Sequence, residues 1–173
     1  MIRAAIEEGK NVKVYATETR PKLQGARLTV FELMKDKIPV TLITDNMVGY
    51  ILQKKLVNKV IVGADRILND GHVINKIGTF TIAVLAKYFN IPFYVAAPLS
   101  TFDLKSKLNE IKIEERDPNE VKKINNTYIT VPKVKVLNPA FDVTPPELVT
   151  AIITEKTILK PPYNETISRL FEV

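Results

Sequence analysis

The chain has 173 residues, of which 46% are hydrophobic and 25% charged, a composition typical of one compact globular domain. It contains no cysteine and one histidine. A cysteine nucleophile, a cysteine zinc cluster and a disulfide are therefore excluded, and a Ser-His-Asp triad would depend on His72. The net charge of +6 comes from lysines spread along the chain, which favours a solvated surface over a nucleic-acid-binding stripe.

The sequence also argues against a membrane location. No apolar run approaches the ~20 residues that a membrane span needs. The N-terminal residues MIRAAIEEGK lack the basic-then-apolar order of a signal peptide. We therefore expect a cytoplasmic protein with neither a membrane nor a nucleic acid as partner.

Short apolar runs alternate with helical periodicity along the chain. The pattern predicts strands at 12–16, 39–44, 57–64, 92–97 and 134–136, the third of them a central strand buried on both faces. It predicts helices at 26–36, from an Asp45 cap through Leu52, at 78–89, near 118–124, from Pro145 through Ile152, and after Pro161. Alternating strands and helices pair in parallel through right-handed crossovers. We therefore predict an α/β fold, a Rossmann-like, doubly wound, mainly parallel sheet flanked by helices, in one domain over 1–173.

Polar segments follow four of the predicted strands. They read ETRPKLQG, TDN, GADRI and APLST. Ligands of doubly wound sheets bind at the carboxyl ends of the strands, so this edge is the predicted site. Its polar candidates, together with a pair before the helix at 78–89, are Gln24, Asp45, Asp65, Arg66, Asn75, Lys76, Ser100 and Thr101.

Asp65 is the main candidate for a general acid. It directly follows the apolar run VIVGA at 60–64, where we expect its carboxyl to be poorly solvated. Desolvation raises the pKa of a carboxyl group, which a general acid needs at neutral pH. The alternative interpretation is a helix or turn cap, or a salt bridge with Arg66.

The segment from Asn75 to Thr79 precedes a predicted helix. Gly78 and Thr79 at a helix N-terminus would present free amides and a hydroxyl to an anion. Lys76 would add a positive charge and Asn75 a polar fork, while an ordinary N-cap beside a solvent-exposed lysine is the alternative. The chain contains neither GxGxxG nor GxxxxGK[ST], so the usual dinucleotide and P-loop modes have no support.

Five segments are specific when they are taken in order. They are ETRP with QGARLT at 18–29, GADRI at 63–67, NKIGT at 75–79, PFYVAAPLST at 92–101 and NPAFDVTP at 138–145. Together they resemble the S-methyl-5-thioribose-1-phosphate isomerases, the aldose–ketose isomerases of methionine salvage. That family shares a superfamily with ribose-1,5-bisphosphate isomerase and the regulatory subunits of translation initiation factor 2B. The resemblance covers nearly the whole chain.

The resemblance implies that Asp65 is the catalytic acid and that Gln24, Asn75 and Lys76 contact a phosphorylated sugar. It implies that no metal or organic cofactor is needed and that the chain forms a homodimer. Arg66, PLSTFD at 98–103 and IEERDPNEV at 113–121 favour the methylthioribose branch. The alternatives are ribose-1,5-bisphosphate isomerase and a non-catalytic, initiation-factor-like subunit that binds a sugar phosphate or a nucleotide.

One departure from the family affects the expected activity. Members of the family are longer, and this chain resembles their C-terminal, Rossmann-like half. The resemblance implies that their N-terminal lobe supplies a catalytic cysteine and phosphate-binding arginines, and this chain has no cysteine. We therefore expect half of an active site, with weak or absent turnover unless such a lobe, possessed or borrowed from a separate chain, completes it.

Overall fold

A computed structural model describes residues 1–171 of the chain. Its α-helices are α1 (Ile2–Glu7), α2 (Val30–Lys35), α3 (Val48–Gln53), α4 (Thr79–Tyr88), α5 (Asn119–Lys122) and α6 (Tyr163–Phe171). Its strands are β1 (Val14–Thr17), β2 (Val40–Ile43), β3 (Val60–Val62), β4 (Arg66–Leu68), β5 (Val73–Lys76), β6 (Phe93–Ala96), β7 (Phe102–Asp103), β8 (Lys123–Ile124), β9 (Thr127–Tyr128), β10 (Phe141–Thr144), β11 (Ala151–Ile153) and β12 (Ile158–Leu159). Within residues 1–171, no helix is long and apolar enough to cross a membrane.

The core sheet has the strand order β12-β11-β6-β3. Strands β3, β6 and β11 are parallel, and the predicted α/β class is confirmed. The prediction that 57–64 forms the central strand is wrong: β6 lies between β3 and β11, and its Phe93 and Val95 are 1% and 0% exposed. Strand β3 stands at the end of this order, and its Ile61 is exposed. The β-branched run at 57–64 indicated a buried strand without indicating its place in the sheet.

Strands β1 and β2 form a separate parallel pair in which Val14 lies opposite Val40. Their apolar side chains pack with helix α3, where Ile51 and Leu52 are buried beside Ile43. The loop after β1 and the turn after β2 both leave the carboxyl end of this pair. The predicted placement of ETRPKLQG and TDN at one edge is therefore confirmed.

A second sheet, with the order β10-β5-β4-β7, carries three of the site candidates, Arg66, Asn75 and Lys76. Strands β4 and β5 form an antiparallel hairpin, and β10 pairs antiparallel with the other edge of β5. The turn of the hairpin contains Gly71, which has a φ of +89° and lies against the ring of Tyr163. The sequence pattern did not predict this sheet, because its strands mix polar and charged residues with apolar ones and give no apolar run.

The region from 134 to 152 differs from the prediction. Residues 134–136 are irregular, and the strand lies instead at Phe141–Thr144. The predicted helix from Pro145 through Ile152 is a short 3-10 turn at Pro146–Leu148 followed by strand β11. Ile152 pairs with Val95 of β6 and is fully buried. A short apolar run fits either a helix or a strand, and here the open edge of β6 decides between them.

Candidate functional site

Asp65 lies in the short link between β3 and β4, which connects the core sheet to the second sheet. Its backbone N–H donates to the carbonyl oxygen of Ile74 at 2.9 Å, which fixes it one residue before β4. Within residues 1–171 Asp65 is exposed, so the expectation that its carboxyl is poorly solvated is wrong. Strand β3 ends at Val62, so Gly63 and Ala64 carry the carboxyl clear of the apolar strand.

A pocket of about 220 Å³ opens beside Asp65. Its lining combines charged and apolar side chains from β4, β5, β10 and the segment 111–114. The lining residues are Asp65, Arg66, Ile74, Ile111, Lys112, Ile113, Glu114 and Phe141. A larger hollow of about 290 Å³, at 34–40, contains none of the predicted site residues.

Asn75 and Lys76 are neighbours on β5, so their side chains point to opposite faces of the sheet. The Asn75 amide donates to Thr79 Oγ1 at 3.0 Å. Lys76 Nζ donates to the carbonyl oxygen of Ala140 at 3.1 Å and lies 4.7 Å from the centre of the Phe141 ring. Both side chains are therefore held in place and half-buried.

The charge of Lys76 depends on its surroundings. Burial lowers the pKa of its ammonium group, and the nearby guanidinium of Arg116 lowers it further. The carboxylates of Glu114, Glu120 and Asp65 oppose this shift without cancelling it. The structure thus brings Asp65 within electrostatic range of Lys76.

The N-terminus of helix α4 already holds an anion from the chain itself. The Asp142 carboxylate accepts hydrogen bonds from the N–H groups of Gly78 at 2.7 Å and Phe80 at 3.0 Å. The prediction of free amides at Gly78 is therefore wrong, because Asp142 on β10 stands directly opposite Asn75 on β5. Burial raises the pKa of Asp142, although these two hydrogen bonds oppose the shift.

Gln24 ends the loop after β1 and leads into a π-helical turn at Gly25–Thr29. Its Oε1 is buried and has no hydrogen-bond partner within residues 1–171. The predicted cap at Asp45 is wrong: its carboxylate accepts from the N–H groups of Thr19 at 2.9 Å and Arg20 at 2.6 Å. Asp45 therefore shapes the loop that presents Gln24, since the two part-buried N–H groups of that loop need an acceptor.

Helix α5 links this loop to the second sheet. Glu120 on α5 accepts from Lys22 Nζ at 2.7 Å and from the amide of buried Asn138 at 3.3 Å. Burial alone would raise the pKa of Glu120, but these hydrogen bonds and the charge of Arg116 outweigh it and the pKa is lowered. Sequence reasoning placed Glu120 and Asn138 in specific segments without giving either a role.

Arg66 turns away from Asp65. Its Nη1 lies 3.2 Å from Asp103 on β7, so the alternative of an Asp65–Arg66 salt bridge is not what the structure has. Asp103 also accepts from the N–H groups of Ser106 and Lys105. The candidates Ser100 and Thr101 lie in a 3-10 turn between β6 and β7.

The contacts of Asp103 predict a pH-dependent stability. Hydrogen bonds from Ser106 and Lys105, with the charge of Arg66, lower its pKa to about 2. A carboxyl pKa that is lowered in the folded state stabilises the fold at pH values above the ordinary pKa of the group. This stabilisation disappears as the pH falls toward about 2. Asp103→Asn should therefore unfold at lower urea than the parent near neutral pH, with the two midpoints converging at about pH 2. A difference that persists unchanged into acid would contradict this.

Comparison with known proteins shows to which family this fold belongs. A model of the Initiation factor 2 subunit family matches residues 1–161. The chain belongs to this family. Two relatives named methylthioribose-1-phosphate isomerase, from Petrotoga mobilis and Thermotoga maritima, are 60% and 57% identical over 172 and 174 residues. These alignments take 99% and 100% of this chain but 49% and 51% of the relatives.

Solved structures match equally well. The structure described as translation initiation factor eIF-2B, subunit delta, from A. fulgidus has a TM-score of 0.96 and 53% identity. The 5-methylthioribose 1-phosphate isomerase from Pyrococcus horikoshii has a TM-score of 0.95 and 44% identity. This chain is covered to 99% in both, and those chains to 50% and 48%. The resemblance found in the sequence is confirmed, and the chain spans about half the length of the curated relatives it matches.

Proposed function

We propose that this chain carries the acid-bearing half of a methylthioribose-1-phosphate isomerase site. The observation that supports it most is the 57–60% identity to the isomerases of Thermotoga maritima and Petrotoga mobilis over the whole chain. In this proposal Asp65 is the acid, and Gln24, Asn75 and Lys76 hold the sugar phosphate. The reaction needs no metal or organic cofactor.

The reaction explains what these groups would do. The substrate is phosphorylated on its anomeric oxygen, so the sugar ring must open before a hydrogen moves between C1 and C2. Asp65 assists by giving its proton to the ring oxygen as the bond from that oxygen to C1 breaks. The bonding pair stays on the ring oxygen, and a lone pair of the phosphorylated anomeric oxygen compensates the electron deficiency at C1. The positive charge of Lys76 balances the negative charge of the phosphate. The buried Oε1 of Gln24, which lacks a partner within residues 1–171, accepts a hydrogen bond from a hydroxyl of the sugar.

The exposure of Asp65 supports the view that this site is completed by groups from outside residues 1–173. An acid that works at neutral pH needs a poorly solvated carboxyl, and a lobe that covers Asp65 would supply that surrounding. The hydrogen at the second carbon also needs a group to handle it, and the resemblance assigns that task to a cysteine. We infer that the chain forms the C-terminal, Rossmann-like half of such an enzyme and that it dimerises with a second copy.

The test is turnover by two proteins. One is the 173-residue chain, and the other is a chimera in which this chain replaces the matched part of the Thermotoga maritima relative. With 5-methylthioribose 1-phosphate, the chimera should form the ketose product by NMR, while the chain alone should be slower by about 10²-fold or more. Equal rates would contradict the half-site, and a folded but inactive chimera would contradict the isomerase.

A non-catalytic subunit is the second candidate, favoured by the A. fulgidus structure described as an initiation factor subunit. In that case the chimera would assemble and bind a sugar phosphate or nucleotide without converting the substrate. A third arm with ribose 1,5-bisphosphate separates the two isomerase branches. Preferred turnover of the bisphosphate would move the assignment to that branch.

A further inference from the structure

Residues from three separate parts of the chain meet at the Glu120 side chain. Lys22 comes from the loop after β1, Asn138 precedes β10, and Glu120 itself lies on α5. Glu120 Oε1 is 2.7 Å from Lys22 Nζ, and Oε2 is 3.3 Å from Asn138 Nδ2. The Glu120 side chain is 15% exposed, so water is a weak competitor for these bonds.

Each end of this cluster leads to a proposed substrate contact. On one side, Lys22 lies two residues before Gln24, and Arg20 Nη2 donates to the carbonyl oxygen of Val121 at 2.9 Å. On the other side, buried Asn138 also donates to the carbonyl oxygen of Asp117 at 2.9 Å. Two residues further on, the carbonyl oxygen of Ala140 accepts from Lys76 Nζ at 3.1 Å.

The two contacts stand on different sheets. Gln24 follows the β1–β2 pair, whereas Lys76 belongs to the sheet β10-β5-β4-β7. The distance between Gln24 and Lys76 therefore depends on the contacts that connect the two sheets at this edge, and α5 makes such contacts. A displacement of about 1 Å between groups that hold a substrate can cost ~10²-fold in rate.

We propose that Glu120 is a positioning residue that sets the separation between Gln24 and Lys76 in the substrate site. The proposal rests on the proposed function for the role of these two contacts. Glu120 does not touch the substrate in this account. It acts by tying the Gln24 loop and the Asn138–Ala140 segment to one short helix.

The test uses Glu120→Gln in the chimera and in the 173-residue chain. Glutamine has one acceptor oxygen in place of two and no charge. It therefore loses one of the two hydrogen bonds and the ion pair with Arg116, whose Nε lies 3.6 Å from Glu120 Oε2. In the chimera, KM for 5-methylthioribose 1-phosphate should rise about tenfold with a smaller loss of kcat. Lys22→Met should also raise KM. The double variant should show less than the product of the two effects, because both substitutions weaken the same Lys22–Glu120 contact. The matched control is Glu165→Gln, since Glu165 pairs with Arg169 on the exposed face of α6.

A readout without turnover separates this proposal from the proposed function. In the ¹⁵N-labelled chain, Glu120→Gln should shift both the side-chain amide of Gln24 and the backbone amide of Lys76, whereas Glu165→Gln should shift neither. If neither resonance moves, or if KM stays unchanged while only the melting temperature falls, Glu120 is not a positioning residue. If both resonances move but the parent chimera converts no substrate, Glu120 still positions Gln24 and Lys76, and the isomerase assignment fails. Should Glu120→Gln not fold, Lys22→Met decides by the same measurements, because Lys22 is 43% exposed.

Discussion

Asp65→Asn is expected to lower turnover of the chimera by about 10²–10⁴-fold, the range for removing a general acid. Asparagine has nearly the same shape as aspartate but has no acidic proton to give to the ring oxygen. Asp65 is exposed, and its link to β5 is a backbone hydrogen bond to Ile74. The substitution should therefore leave the fold and the melting temperature unchanged. Initial rates followed by NMR, with kcat and KM separated, measure the effect.

Asp70→Asn is the matched control for this experiment. Asp70 is an exposed aspartate on the same hairpin, at the turn beside Gly71, and its contacts are with His72. Its replacement should leave kcat nearly unchanged, since it stands at the opposite end of β5 from Lys76. An Asp65→Asn chimera with the parent's kcat would remove Asp65 from the mechanism. Retained assembly with lost turnover would weigh against the non-catalytic candidate.

Gly25→Ala is expected to be the most damaging substitution in the loop that presents Gln24. A Cβ at this position would lie 1.8 Å from the carbonyl oxygen of Thr17 and 2.8 Å from Thr19 Oγ1. The nearer atom belongs to the backbone of β1, so a side-chain rotation cannot relieve the overlap. We expect a loss of about 1–3 kcal/mol in the free energy of unfolding, the usual range for overpacking, together with displacement of Gln24.

Gly49→Ala provides the contrast. Gly49 lies within helix α3, and the nearest atom to an added Cβ is Leu85 Cδ1 at 3.9 Å, an ordinary contact. Alanine is favoured over glycine inside a helix by about 1 kcal/mol, so this variant should match or exceed the parent's stability. Urea unfolding of both variants measures the difference. Equal stabilities for Gly25→Ala and Gly49→Ala would contradict the close approach at Gly25.

The core of the fold could be predicted because its strands are longer apolar runs bounded by clear turns. The strands at 39–44 and 92–97 and the helix at 78–89 all correspond to elements of the structure. The second sheet could not be predicted in the same way. Strand β10 of that sheet is decided by pairing with β5, and strand β11 of the core sheet by the open edge of β6. Both are contacts distant in sequence.

The candidate site divides along the same line. Asp65 could be placed at the site edge because it follows an apolar strand. The β4–β5 hairpin, which brings Asn75 and Lys76 near it, was not predicted. The roles of Asp45 and Asp142 could not be predicted, since each accepts backbone N–H groups from another part of the chain. Only the three-dimensional structure places these carboxylates opposite the N–H groups that they bind. The exposure of Asp65 was missed because the sequence shows an apolar strand before it and does not show where that strand ends.

In the proposed function, one sugar phosphate is held by Gln24, Asp65, Asn75 and Lys76. The most direct measurement is a titration of the ¹⁵N-labelled 173-residue chain with 5-methylthioribose 1-phosphate, followed through its amide resonances. The account predicts that the largest shifts fall on these four residues, including the side-chain amides of Gln24 and Asn75. Shifts confined to other surfaces, or none at saturating ligand, would contradict it.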